Sequence, residues 1–324
     1  MLDAGARLLL LRSYLLEHTD ERHSATAREI VAYLELSGFR ADRRTVYADI
    51  ELLRTSGLDI RVRRRRANEY YIGSRPFERS ELRLLTDMIH ASRVLSRERS
   101  EAMIEKLAQL CSRHDAAWLR RQNTGGGAQK AENERAFQNA GKILLALEQG
   151  SKLSFLYCQM TARKTLQPRR GGEEYIVNPC LLIYAEDHYY LIADHPSHEG
   201  LAHYRLDKME EVRALEEPAA PADLSFDAAA YARTVFSMAP AQQRWVHLRF
   251  DRALLGAMLD RFGADVPVEI MDEQSYSLFA PVRVSPPFFG WVFQFGGRVK
   301  ILAPDDVREQ MLLMLEASRA SELK

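Results

Sequence analysis

The stretch "ADRRTVYADIELLRTSG", which ends at Gly57, limits the fold of this chain more than any other. Asp42 is a strong helix N-cap, Val46, Ile50 and Leu53 recur four and three residues apart, and Gly57 supplies a left-handed stop. One helix with a single buried stripe is therefore expected from about 42 to 56. Two helices precede it: residues 2–17 have helix composition, and "SATAREIVAYLELSG" sets Ile30, Val31 and Leu34 on one side ahead of Gly38. After it, "IRVRR" and "EYYI" alternate around "RRAN", which is the pattern of a hairpin.

Three helices followed by a hairpin predict a winged helix-turn-helix over residues 1–75. The same region gathers positive charge. The chain holds 45 Lys and Arg against 45 Asp and Glu, yet residues 40–66 hold nine arginines against four acids. Local excess, and not net charge, decides whether a surface attracts a polyanion. With Val46 turned inward, steps of about 100° point Arg44, Ala48, Glu51 and Thr55 outward and leave Thr45 and Tyr47 on the shoulders. A helix-turn-helix presses such a face into the major groove. Arg44, Thr45, Tyr47 and Ala48 are the candidate base readers, and Arg40 and Arg43 the candidate phosphate contacts. Arg63, Arg64, Arg65 and Arg66 lie on or beside the hairpin tip, where a wing touches the backbone or the minor groove. Double-stranded DNA is the expected partner, because the deep, narrow major groove of an RNA duplex does not admit a reading helix. The competing reading is a solvated basic face.

At 324 residues the chain is too long for one ordinary core, so an α+β multidomain architecture is expected. Residues 76–122 read as a helical connector with two helices, "SELRLLTDMIHASRVL" and "SRERSEAMIEKLAQLCS". Three successive glycines in "NTGGGAQKAENE" break the periodicity and mark a linker at 123–135. The module at 136–215 opens with the helix "AFQNAGKILLALEQG" and turns to the strands "KLSFLYC", "EYIVNPCLLIY", "HYYLIAD" and "AHYRLDKMEEVRAL", a small β-barrel or sheet. A second linker at 216–240 contains "EEPAAPADLSF". In the last module, 241–324, "WVHLRFD" turns Val246, Leu248 and Phe250 inward, and a helix runs to Phe262. Strands follow at 266–270, 276–284, 291–295 and 299–302, then a final helix begun by "PDDVREQM", a compact ferredoxin-like α+β domain.

Several function classes are disfavoured. Cys111, Cys158 and Cys180 are odd in number and lack ligand spacing, which argues against disulfides and zinc and for a reducing cytoplasm. No run approaches the roughly 18 apolar residues of a membrane span. Asp194, His195, His198, Glu199 and His203 lie close in sequence, but Pro196 and Gly200 make their segment a turn, so no metal is expected. "TGGGAQ" lacks the lysine and hydroxyl of a phosphate loop, and no nucleophile elbow or Cys–His pairing is visible, so neither a cofactor nor an enzyme is expected. Trp118, Trp245 and Trp291 read as packing or interface anchors.

At "HYYLIAD" the chain resembles the bacterial WYL-domain transcriptional regulators, whose Trp-Tyr-Leu motif stands here as Tyr189-Tyr190-Leu191. Val177 and Pro179 in the preceding strand and "HEGLAHYRLDKM" after it carry the same likeness. "TVYADIELLRTSGLDI" fits the family's winged helix, "QKAENERAF" its join and "WVHLRFD" onward its C-terminal extension. The resemblance implies an Sm-like β-barrel that senses an anionic or nucleic-acid-derived effector, and a C-terminal domain that helps build a dimer. The residues agree in part. Arg205 leaves the core beside His203 on the polar face of its strand, with the rings of Tyr157, Tyr189 and Tyr190 and the cations Arg169, Arg170 and Lys208 near in sequence. Rings beside cations suit a nucleotide or oligonucleotide. Against this, one tyrosine of each adjacent pair must face inward, and Asp207 is a ready partner for Arg205. Ala202 stands where the family commonly has an arginine, which removes a cation. A cytoplasmic homodimer on an inverted-repeat operator is the expected assembly. The alternative is an accessory protein of DNA repair or phage defence that senses single strands.

Overall fold

Leu11, Leu15, Ile30, Leu34, Val46, Ile50 and Leu53, from three successive helices, are all 5% exposed or less and form one core. The computed structural model describes residues 4–121, 130, 134–195, 200–220, 231, 233–239 and 241–322, and the chain divides into two units, Met1–Asn133 and Glu134–Lys324. In the first unit α1 (Ala4–His18), α2 (Ala27–Leu36) and α3 (Arg43–Thr55) pack on a three-stranded antiparallel sheet of order β1-β3-β2, with β1 at Ala25–Thr26, β2 at Ile60–Arg64 and β3 at Asn68–Ile72. Thr26 and Glu29 form a reciprocal capping box that starts α2. Asp42 starts α3 by accepting the Thr45 amide at 2.7 Å, and Gly57 follows its end at φ +95°. Arg7 of α1 forks onto the buried Asp49 of α3 at 2.8 and 3.1 Å, so the orientation of α3 is fixed by a charge as well as by packing.

The connector has three helices where the sequence predicts two: α4 (Arg79–Ala91), α5 (Arg97–Ala108) and α6 (Arg113–Arg121). The nine residues of α6 bury only Ala116 and Leu119, too little to generate a visible period. Apart from Lys130 and residues 134–135, the linker expected at 123–135 lies outside the described residues. Lys130 is held by the Ile89 and Ser92 carbonyls and the Ser100 hydroxyl.

The second unit begins with α7 (Arg135–Gln149), closed by Gly150 at φ +63°. A curled half-barrel follows, made of β4 (Ser151–Met160), β5 (Leu166–Pro168), β6 (Tyr175–Ala185), β7 (His188–Asp194), β8 (Leu201–Arg205) and β9 (Met209–Pro218). Its order is β5-β4-β6-β7-β8, with β9 also pairing β4. The curl follows from β4 changing partners along its length, since residues 153–155 face β6 and residues 158–160 face β5. Asn139 of α7 is buried and donates to the Leu206 and Met209 carbonyls, which fixes the turn after β8.

Beyond β9, residues 221–230, 232 and 240 of the expected second linker lie outside the described residues. The rest of it is not bare connection, because Tyr231, Val235 and Met238 are buried against Tyr190 and Ile192 of the half-barrel. The C-terminal sheet has order β11-β12-β10-β13. It is built from β10 (Gln243–Asp251), α8 (Leu255–Phe262), β11 (Val268–Ile270), β12 (Ser275–Arg283), α9 (Pro286–Phe293), β13 (Val299–Ala303) and α10 (Asp305–Glu322). Val246, Leu248 and Phe250 are fully buried as expected. The strand expected at 291–295 is instead mostly the end of α9. Pro286 and Pro287 are pre-set for a first helical turn, and Phe288, Phe289 and Val292 reach the core at helical spacing. Among the described residues, no helix is long and apolar enough to cross a membrane.

Candidate functional site

Arg43 and Arg44 occupy the first turn of α3, which carries no acidic residue. Both are exposed, as are Arg40, Tyr47 and Ala48, and the side chains of Arg40, Arg43 and Arg44 make no hydrogen bond or ion pair among the described residues. Cations at a helix N-terminus oppose the helix dipole, and the charge of Arg44 acts within the fold only on the exposed Asp42 cap, whose carboxyl it helps hold low. Thr45 is only partly exposed, and its hydroxyl is committed to the Asp42 cap at 2.6 Å.

The hairpin divides its arginines. Residues 65–67 form the tip beyond the Arg64–Asn68 pair, and the side chains of Arg64 and Arg66 are exposed without a hydrogen bond or ion pair among the described residues. Arg65 lies 3.9 Å from Glu69. Arg63 is tied into the fold: its guanidinium donates to the Glu21 carbonyl and stands over the Tyr71 ring at 5.2 Å. Two further arginines of the run are structural, since Arg54 donates to the Ile60 carbonyl and Arg61 pairs with Asp59. Tyr47, Glu51, Arg64 and Tyr70 line a groove between α3 and the hairpin.

In the half-barrel the predicted effector residues fall into separate neighbourhoods. Tyr157 joins Phe155, Tyr175 and Tyr204 in a cluster with centroid separations of 5.0–6.3 Å, and the Arg170 guanidinium lies 4.6 Å from the Tyr175 centroid. Burial pushes the Tyr204 hydroxyl up to about 12, and it raises that of Tyr157 although the Arg205 amide donates to it at 3.2 Å. Arg205 itself forks onto Asp207 at 3.0 and 2.7 Å. Burial works to raise the Asp207 carboxyl, but the hydrogen bonds from Arg205 and the charges of Arg205, His188 and Lys208 outweigh it and leave it lowered.

Tyr190 and His203 belong to another group. Tyr190 is 7% exposed and packs on Tyr231. Both ring nitrogens of His203 are engaged, Nε2 with the Tyr231 hydroxyl at 2.5 Å and Nδ1 with the Met238 carbonyl at 2.6 Å, and burial lowers its pKa. Tyr189 packs on Tyr184 at the β6–β7 hairpin. Arg169 is exposed and Lys208 partly exposed, both without an ion pair among the described residues.

Sequence reasoning missed Tyr175 and Tyr204 as members of the ring cluster, and Tyr231 as the partner of His203. The alternation of Phe155 with Tyr157 was the available signal, but only strand pairing reveals that Tyr175 lies opposite Phe155. Of the histidine-rich turn, residues 196–199 lie outside the described residues, and His195 is buried 6.0 Å from the Tyr175 ring. No metal-ready group of three His, Cys, Asp or Glu occurs among the described residues.

The curled sheet and the four-strand sheet that follows correspond to two known domain families. Residues 138–214 match the WYL domain and residues 242–318 the WCX domain. The chain thus carries one segment that matches each of these two domains. No curated protein matches it. Among solved structures it is similar to one described as "Proteasome accessory factor B/C (PafBC) of Arthrobacter aurescens", at 19% identity and a TM-score of 0.29 over 98% of this chain and 48% of that one. The chain thus spans about half the length of that relative. It is also similar to one described as "Crystal structure of a CRISPR Cas-related protein", at 15% identity and a TM-score of 0.36 over 69% of this chain and 62% of that one.

Proposed function

We propose that this chain is a transcriptional regulator in which residues 4–72 form a winged helix-turn-helix on duplex DNA. The observation that carries the reading is the pair Arg43 and Arg44, exposed and outside ion-pair distance of any acid at the N-terminal turn of α3, where the Asp42 cap feels the charge of Arg44 only through space. A fold under no external demand places acids there, whereas phosphate or guanine is a natural counterpart for guanidinium groups in that position. Arg40 adds a phosphate contact and Arg64 and Arg66 supply the wing, while Arg63 steadies the hairpin. Tyr47 and Ala48 remain the exposed candidates for base contact. Thr45 acts through the cap.

In the same reading the half-barrel is an Sm-like sensor. The partly exposed Tyr157, backed by the buried Tyr175, with Arg170, Arg169 and Lys208 suits an anionic, nucleotide-like effector, and Arg205 reaches it by releasing Asp207. Tyr190 and His203 support the sheet and hold Tyr231 and Met238 from the other side. The C-terminal domain, ferredoxin-like in its β-α-β-β-α-β order, serves a two-fold dimer whose reading helices lie about 34 Å apart, one helical turn of DNA. No step of this reading requires catalysis.

Selection of bound duplexes from a random pool, followed by footprinting, tests it. A discrete inverted repeat protected in two half-sites is expected. Equal affinity for every sequence, with single strands preferred, would overturn it in favour of an accessory role in repair or phage defence.

A further inference from the structure

Tyr231 and residues 233–239 are held by the half-barrel and by the C-terminal domain at once. From the half-barrel, His203 of β8 engages the Tyr231 hydroxyl through Nε2 and the Met238 carbonyl through Nδ1, and Glu186 in the β6–β7 turn accepts the Ser237 amide at 2.9 Å. From the C-terminal domain, Arg261 of α8 donates to the Val235 carbonyl at 2.5 Å and stands 3.7 Å from the Phe236 centroid. Arg283, the last residue of β12, donates to the Ala241 carbonyl at 2.6 Å and stands 4.5 Å from the Tyr231 centroid. Phe236 enters the C-terminal core, 5.2 Å from the Phe288 ring.

Several features of this bridge cost free energy. Ser237 and Met238 lie at φ +46° and +47°, in the left-handed region that side chains disfavour. Arg261 and Arg283 have no acid within ion-pair distance among the described residues, and the Nε of each is buried without a hydrogen-bond partner. Such groups persist where their surroundings over-determine them, and they collect at ligand clamps and switches. The chemistry at His203 shows what the switch responds to. A carbonyl can only accept, so Nδ1 carries the proton toward Met238, and the Tyr231 hydroxyl donates to the lone pair of Nε2. A second proton at Nε2 reverses that bond, which the hydroxyl meets by turning to accept. The added charge has no such remedy. Burial disfavours the imidazolium most, the bond to Met238 works against this, and the charge of Arg283 disfavours it further. Around the bridge also lie Arg261, Cys180 of β6, His188 and Tyr190 of β7, and Glu186, which is exposed and already accepts the Ser237 amide.

We infer that Tyr231 and residues 233–239 form an acid-released clasp between the half-barrel and the C-terminal domain, with His203 as its proton-sensitive catch. Closed, the clasp keeps the imidazole neutral and dry beside Arg283. Open, it lets the imidazolium reach water and frees the C-terminal domain from β8. Because the closed form binds fewer protons than the open one, its stability falls as pH drops below the ordinary histidine range. The clasp rests on contacts within the second unit alone, so it stands whether or not the proposed operator binding holds.

Amide hydrogen exchange of the full chain at about pH 7.5 and about pH 5.5, corrected for the intrinsic exchange rate at each pH, tests the inference. The Ser237 and Ala239 amides, bonded to Glu186 and to the Phe236 carbonyl, should open up to about ten-fold more often at the lower pH, with the β10 and β12 amides unchanged. His203→Gln, which can donate to Met238 and accept from Tyr231 without taking a proton, should abolish this step. Tyr231→Phe leaves Nε2 without its partner and should raise opening at both pH values. In wild type, the His203 ring followed by NMR should titrate below about pH 6.5. Equal protection at the two pH values, the same step in His203→Gln, or a His203 midpoint at or above the ordinary histidine value would overturn the inference. So would β10 and β12 amides that open in step with Ser237 and Ala239, since the whole unit and not a clasp would then be giving way.

Discussion

Around α3 and the hairpin, Arg40, Arg43, Arg44, Arg64 and Arg66 have no acid within ion-pair distance, whereas in the C-terminal domain Arg244, Arg249, Arg298 and Arg308 meet Asp306, Asp272, Asp251 and Asp305. Both regions are rich in arginine, and a chain with zero formal charge contains both. What separates them is pairing. A paired guanidinium has its counter-ion within the fold and adds little binding potential, while an unpaired one at a helix N-terminus keeps its charge for something outside. Net charge cannot reveal this difference, and neither can a count of arginines.

Arg7→Ala probes the internally paired class at its strongest. It strands the buried Asp49 carboxylate on α3 and should cost about 3 kcal/mol, read as a lower urea midpoint for the N-terminal unit in the full chain. An unchanged midpoint would mean that α3 is oriented by packing alone. For the unpaired class, Arg43→Ala with Arg44→Ala should weaken duplex binding on the order of 100-fold while leaving thermal stability unchanged or slightly raised. If stability collapses instead, these arginines belong with the paired ones.

A pH scan sharpens the comparison from within the second unit. Burial lowers the folded pKa of His203, so the folded state binds fewer protons than the unfolded chain as pH falls. Stability of that unit should therefore decline below about pH 6.5, and His203→Gln should flatten the decline. An identical slope in the variant would place the titrating group elsewhere. The smallest effect belongs to the exposed pairs. Arg244→Ala or Arg298→Ala should change stability by about 0.5 kcal/mol and duplex affinity not at all.

Much of the first unit was legible because its signals are local. Asp42, the Val46–Ile50–Leu53 stripe and Gly57 bound α3 within the sequence itself, and the exposed face of the helix followed from the same wheel. The strand expected at 291–295 failed because Trp291, Phe293 and Phe295 alternate like a half-buried strand, although the two prolines ahead of them start a helix. The effector residues were legible only as chemical types. Tyr189 and Tyr190 are adjacent in sequence but pack with different partners, and His203 is bound by Tyr231 from a segment expected to be a linker. Contacts between strands and across 28 residues of chain follow from register, which composition does not carry.

The most direct measurement is duplex affinity against salt for wild type and for Arg43→Ala with Arg44→Ala. A steep decline of log K with log salt is expected for wild type, and a slope shallower by about one for the variant, for the phosphate neutralisation lost with Arg43. Identical slopes, or no duplex binding by wild type in dilute buffer, would contradict the claim that these unpaired arginines face DNA.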